Sequence, residues 1–195
     1  LGLGDKVEWV EMDPDGFDTL IFPGVTFKVP KGWDRYRERL VATFPDDESG
    51  IHRCIDVLQN IIAQQGKVRM PVTPADYPRL MEEAPDFLKW GMRSLGELFD
   101  DCGLGAKARA VIAGECGDYA TPPSRTPVML HAGLLNGYLK GAYYPRGGGQ
   151  VLPAHLVDVV RSNGGEVRTR TRVERILVED GRAAGVRIDT GEELR

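Results

Sequence analysis

The sequence predicts an α+β fold, with a small antiparallel sheet first, helices next, and then a helix followed by strands. Three observations support this prediction. Short alternating runs occupy residues 6–29, apolar residues recur at helical spacing over about 33–139, and a glycine-rich turn precedes one more helix and several short strands. Gly makes up 24 of the 195 residues, which favours many turns over an all-helical bundle.

The opening strands are predicted from turn signals. Asp13-Pro14-Asp15-Gly16 is typical of a turn, and Pro23-Gly24 separates two strand-like runs. Residues 6–29 are therefore expected to form one small antiparallel sheet.

Helical spacing dominates the middle of the chain. The proline-rich stretch 67–85 predicts an irregular connection with at most a short helix. The five helices predicted around it cover residues 33–44, about 49–66, 86–102, 106–116 and 127–139.

The character changes after Gly137. A glycine-rich loop over 141–149 leads into a helix predicted at about 151–161. Strands are predicted after it at 166–169, 173–179 and 184–189. We accordingly expect a substrate-domain segment over residues 1–140 and part of a cofactor domain over 141–195.

Composition excludes several classes of function. The net charge of −4 argues against a nucleic-acid footprint, and no apolar run reaches a membrane span. Three cysteines without a CxxC pair suggest free thiols in a reducing, cytoplasmic setting. The amphipathic segment 33–44 suits packing against the core better than peripheral contact with a membrane.

Few side chains suggest catalysis or metal binding. The three histidines, His52, His131 and His155, lack metal-ligand spacing, so no metal site is predicted. Cys54 falls on an apolar helix stripe and is interpreted as a small buried residue. Three interpretations stay open for the Gly147–Gly149 loop: plain turn geometry, close approach of a flat cofactor or substrate, or phosphate binding.

A resemblance emerges from the order of the motifs. Tyr143-Tyr144-Pro145-Arg146-Gly147-Gly148 before a helix, then Gly164-Gly165 and Val173-Glu174-Arg175-Ile176, resembles the interior of FAD-dependent oxidoreductases. The similar group contains carotenoid desaturases, carotenoid isomerases and retinol saturases, which are related to the amine oxidases. His131-Ala132 with Tyr138 and Gly141 fits its retinol saturase branch.

The resemblance implies specific sites. Val173 matches a strand residue whose backbone contacts the adenine of FAD, and Gly147 and Gly148 match a segment close to the cofactor. Tyr144, Pro145 and His131 are the residues expected at the substrate cavity. The family's G-x-G-x-x-G motif is absent from the sequence, so this chain is expected to purify without FAD.

The functional prediction follows from this resemblance. The chain is expected to be an interior, substrate-binding fragment of a flavoenzyme that transfers hydride to or from an apolar polyene, inactive alone. The alternative is a module that binds apolar ligands, or a structural and interaction domain, without flavin. The sequence indicates no catalytic side chain and no electron partner.

Overall fold

A computed structural model describes residues 4–69 and 71–195, and it confirms the predicted α+β class. The chain divides into two compact units. The helical unit is Val10–Tyr144, and the C-terminal unit combines the residues up to Trp9 with Pro145–Arg195. No described helix is both long and apolar enough to cross a membrane.

Strands open the chain, although not as a single sheet. β1 (Trp9–Glu11) pairs with β4 (Tyr143–Pro145), whereas β2 (Asp18–Phe22) and β3 (Val25–Val29) form a separate antiparallel hairpin. The prediction of one sheet over 6–29 was therefore wrong for β1. The hairpin turn falls at Pro23-Gly24 as predicted, and Gly24 has a φ of 74°, which glycine adopts without strain.

Seven helices follow within the described part of the helical unit. They are α1 (Trp33–Thr43), α2 (Glu48–Gln65), α3 (Tyr77–Glu83), α4 (Pro85–Trp90), α5 (Leu95–Cys102), α6 (Ala106–Ile112) and α7 (Val128–Leu139).

Two helix predictions need correction. The helix expected over 86–102 is divided into α4 and α5, because Ser94 starts a new helix by accepting a hydrogen bond from the Glu97 backbone N–H. The helix expected over 106–116 ends at Ile112 and continues as a tighter 3-10 turn over Gly114–Tyr119. This 3-10 turn carries several residues of the candidate site.

The core lies in the helical unit, with α2 against α1, α4, α5 and α7. Tyr36 and Leu40 of α1 are buried in it. Cys54 is fully buried, as the sequence predicted. Fully buried side chains of this kind each contribute about 1.5–3 kcal/mol through the apolar surface that they remove from water.

The C-terminal unit holds α8 (Val151–Ser162) and an antiparallel sheet in the order β5 (Val173–Glu179), β6 (Arg182–Ile188) and β7 (Glu193–Leu194). The strand expected at 166–169 is not formed. No residue of α8 is buried, and β5 leaves Val173, Ile176 and Val178 more than half exposed.

Candidate functional site

An open, mainly apolar groove of about 620 Å³ lies in the helical unit. Its volume is within the range of small-molecule sites. We call it the tyrosine groove. Its lining residues are Met12, Gly133, Leu134, Gly137, Tyr138, Gly141, Ala142, Tyr143 and Tyr144.

Glycines keep one wall of the tyrosine groove flat. Gly133 and Gly137 are one helical turn apart on α7, and a Cβ built on either would meet no atom within 4 Å. α7 is apolar nearly all round (VMLHAGLLNGYL), yet Gly133 and Gly137 are exposed. An apolar helix face without side chains offers a flat surface to a flat apolar ligand.

Tyr138 is the groove residue whose position is most strongly fixed. Its hydroxyl donates to Asp118 Oδ2 over 2.7 Å, and its ring stacks on buried Phe17 with centroids 6.1 Å apart and planes 18° apart. The Asp118 carboxylate and partial burial raise the pKa of Tyr138 to about 12. The hydroxyl therefore stays protonated at neutral pH, with its proton held by Asp118.

His131 lies elsewhere on α7. It is fully buried, and its Nδ1 is 2.9 Å from the Tyr119 hydroxyl, which is in turn 2.7 Å from Cys116 Sγ. Burial lowers the pKa of His131 to about 4, although the Ile112 carbonyl partly opposes this shift. Nε2 has no well-formed hydrogen bond among the described residues. The imidazole is therefore a neutral core group within hydrogen-bond distance of Tyr119 in the 3-10 turn.

Glu115, in the same 3-10 turn, is a second buried titratable group. Burial and the carboxylates of Asp18 and Asp118 raise its pKa to about 7. Its Oε1 has no hydrogen-bond partner in the described structure. A protonated carboxyl avoids the cost of burying a charge beside two other carboxylates.

The three residues expected at the substrate cavity differ in whether they line the tyrosine groove. Tyr144 lines the tyrosine groove and is 57% exposed, whereas Pro145 is buried and His131 lies in the core. Among the three, only Tyr144 lines the groove.

A second groove, of about 480 Å³, lies in the C-terminal unit and contains Val173. We call it the β5 groove. Val186, Ile188 and Leu194 give it apolar surface, and its remaining lining residues are polar: Glu166, Arg168, Thr171 and Arg195. Arg168 is paired with Glu166 and Glu192.

Two features of the C-terminal unit bear on the predicted contacts of Val173, Gly147 and Gly148 with FAD. An adenine needs an apolar face and backbone groups for its polar edge. Val173 begins β5, which lies at the edge of its sheet in the order β5-β6-β7 and so has one unpaired side. Gly147 and Gly148 have φ of 89° and 88°. A Cβ built at Gly147 would lie 3.0 Å from Val151 Cγ2, whereas none of the described atoms lies within 4 Å of a Cβ built at Gly148, so a ligand can approach the backbone closely at Gly148. Neither glycine lines the β5 groove.

Sequence reasoning missed Gly133, Gly137 and Asp118. The spacing of Gly133, Gly137 and Gly141, four residues apart, was the available signal. Asp118 belongs to the run Gly117-Asp118-Tyr119, which also fits the resemblance, but its pairing with Tyr138 gave no signal because the two residues are 20 apart. Within residues 4–69 and 71–195, no group of three or more His, Cys, Asp or Glu side chains has the arrangement of a metal site.

Comparisons with known proteins agree with the motif pattern. Residues 114–195 match the model of the flavin containing amine oxidoreductase family. The chain is 30% identical over 201 residues to all-trans-retinol 13,14-reductase of Macaca fascicularis, covering 97% of this chain and 33% of that protein. It is 44% identical over 55 residues to a neurosporene-forming phytoene desaturase of Cereibacter sphaeroides, covering 28% and 11%. The chain spans about a third of the length of the retinol reductases that it matches.

Proposed function

Since this chain is a relative of the retinol saturase and carotenoid desaturase group of flavin-dependent oxidoreductases, we propose that it provides the substrate-binding part of such an enzyme. The observation that carries the proposal is the tyrosine groove, with its flat glycine wall. The relatives are named for a retinoid and for a carotenoid precursor. Both are elongated apolar isoprenoids with a flat conjugated segment, the shape that this wall accommodates.

The proposed role assigns the chemistry to the cofactor and the positioning to the protein. FAD, when bound, supplies hydride transfer. The exposed aromatic rings of Tyr143 and Tyr144 cover apolar ligand surface, while the wall at Gly133 and Gly137 allows close approach. Each Å² of apolar surface removed from water contributes about 25 cal/mol, so affinity depends on how closely the ligand meets this wall.

The C-terminal unit is proposed to supply part of the FAD site. Val173 and the β5 groove would hold the adenine, and Gly148, which follows Gly147, would leave its backbone accessible to the cofactor. The exposed apolar side chains of β5 support this proposal, since a flavin domain with further strands and helices would cover them. An exposed apolar face of this kind is typical of an interface.

Binding of a polyene tests the substrate part of the proposal. We expect all-trans-retinol to bind the 195-residue chain, and Gly137→Leu to weaken binding at least about tenfold, because the new side chain enters the groove. Ligand fluorescence titration measures both affinities. Gly66→Leu is the matched control, since a Cβ there also meets no atom within 4 Å and Gly66 has a helical φ of −64°. Equal weakening by both variants, or no binding by the parent chain, would contradict the proposal.

Binding of ADP tests the cofactor part separately. We expect ADP, which carries the adenine end of FAD, to shift the backbone amide resonances of Val173 and of its neighbours in β5 and β6. Nitrogen–proton correlation spectra of the chain during a millimolar titration measure this. Inosine diphosphate, which replaces the adenine amino group, is the control and should shift these amides less. Shifts confined to other residues would exclude the β5 groove as the adenine site.

A further inference from the structure

We propose that Tyr138 selects polyenes that end in a hydroxyl group, by accepting a hydrogen bond from that hydroxyl in the tyrosine groove. This inference rests on the proposed function and specifies its substrate class. A hydrocarbon polyene and a polyene aldehyde would bind less well, for two different reasons.

Tyr138 already donates its hydroxyl proton within the protein. A phenol has one proton to donate and oxygen lone pairs to accept. The Tyr138 proton is donated to the Asp118 carboxylate over 2.7 Å, and a hydrogen bond to a charged acceptor is stronger than one to a neutral acceptor. The Tyr138 oxygen therefore presents only acceptor capacity to a ligand.

The Tyr138 oxygen is held in a fixed position. Stacking on Phe17 and the bond to Asp118 fix both the ring and its hydroxyl. The side chains of Tyr143 and Tyr144 are 50% and 57% exposed, so they keep rotamer freedom that a ligand would have to restrict. The other lining residues are glycines and the apolar Met12, Leu134 and Ala142. Tyr138 is therefore the lining residue with a fixed polar atom.

A fixed acceptor oxygen favours a ligand that ends in a hydrogen-bond donor. An alcohol O–H donates to the Tyr138 oxygen without disturbing the bond to Asp118. A hydrocarbon end leaves the acceptor lone pair of that oxygen without a donor once water is displaced, which costs free energy. An aldehyde oxygen can only accept, so it faces an acceptor and gains nothing unless Tyr138 gives up Asp118.

The test compares three polyenes of the same length: all-trans-retinol, all-trans-retinal and the deoxy analogue with hydrogen in place of the hydroxyl. We expect the parent chain to bind retinol about fivefold to tenfold more tightly than either of the others, the range expected for one hydrogen bond. In Tyr138→Phe, all three should bind with the affinity of the deoxy analogue. Tyr144→Phe is the matched control and should keep the preference for retinol.

A second variant tests the direction of the hydrogen bond. Asp118→Ala frees the Tyr138 proton, so we expect retinal to gain affinity and approach retinol. Equal affinity of the parent chain for retinol and its deoxy analogue, with both lost in Gly137→Leu, would overturn the selectivity and leave the proposed function intact. Absence of any groove-dependent polyene binding would overturn both.

Discussion

Gly50→Ala is expected to destabilise the helical unit by about 1–3 kcal/mol, the cost of overpacking a core. A Cβ at Gly50 would lie 2.5 Å from the Cys102 carbonyl oxygen and 3.0 Å from Leu104 Cδ2. The first of these atoms is backbone, so α2 and the end of α5 must move apart. Urea unfolding followed by circular dichroism measures the change in the free energy of unfolding.

Gly133→Ala is the matched control, because it makes the same substitution in another helix. A Cβ there meets nothing within 4 Å, and alanine is favoured over glycine inside a helix by about 1 kcal/mol. We expect this variant to be more stable than the parent chain. A loss of stability at Gly133, or none at Gly50, would contradict the packing described here.

The second large effect concerns the dependence of stability on pH. The folded pKa of His131 is about 4, below its ordinary 6.5. Its contribution to the free energy of unfolding is therefore complete above pH 6.5 and is lost as the pH falls from 6.5 towards 4. The folded pKa of Glu115 is about 7, above its ordinary 4.5. Its contribution is complete below pH 4.5 and is lost as the pH rises from 4.5 through 7.

These two groups therefore oppose each other between about pH 4.5 and 6.5, and the parent chain should be nearly equally stable across that window. Each opposing contribution amounts to about 3 kcal/mol at most. Carboxylates with lowered pKa values, such as Glu97 at about 2, change stability mainly below this window.

Single variants should reveal the pH dependence that each group gives to the free energy of unfolding. Glu115→Gln leaves the His131 contribution, so its free energy of unfolding should rise with pH up to about 6.5. His131→Asn leaves the Glu115 contribution, so the free energy of unfolding of this variant should fall as the pH rises through 7. Asparagine is chosen because it keeps an acceptor for the Tyr119 hydroxyl. Urea unfolding at pH 5.0, 6.0 and 7.5 measures these slopes. Parallel pH profiles for the three proteins would rule out this opposition.

The sequence indicated which region of the chain carries the candidate site, but not which side chains contact one another there. The motif order led to the correct group of flavoenzymes, because Tyr144-Pro145-Arg146-Gly147-Gly148 and the later strand motifs are continuous in the chain. The same order could not show that His131 is buried, since burial depends on Tyr119 and Ile112 packing around its ring. Nor could it show that Asp118 holds Tyr138.

Local patterns in the sequence determined α1, α2, α7, α8 and the hairpin β2–β3, because apolar periodicity, prolines and turn glycines act over a few residues. The break between α4 and α5 was decided by the local capping box of Ser94 and Glu97 together with tertiary contacts. There the Leu95 N–H donates to the Thr126 carbonyl and the Met129 N–H donates to the Gly91 carbonyl, so a distant segment takes the place of helical hydrogen bonds. Tertiary packing likewise decided that Gly50 lies in close contact with Cys102, whereas Gly133 and Gly137 leave a groove open. These identical residues differ only in what the rest of the chain places beside them.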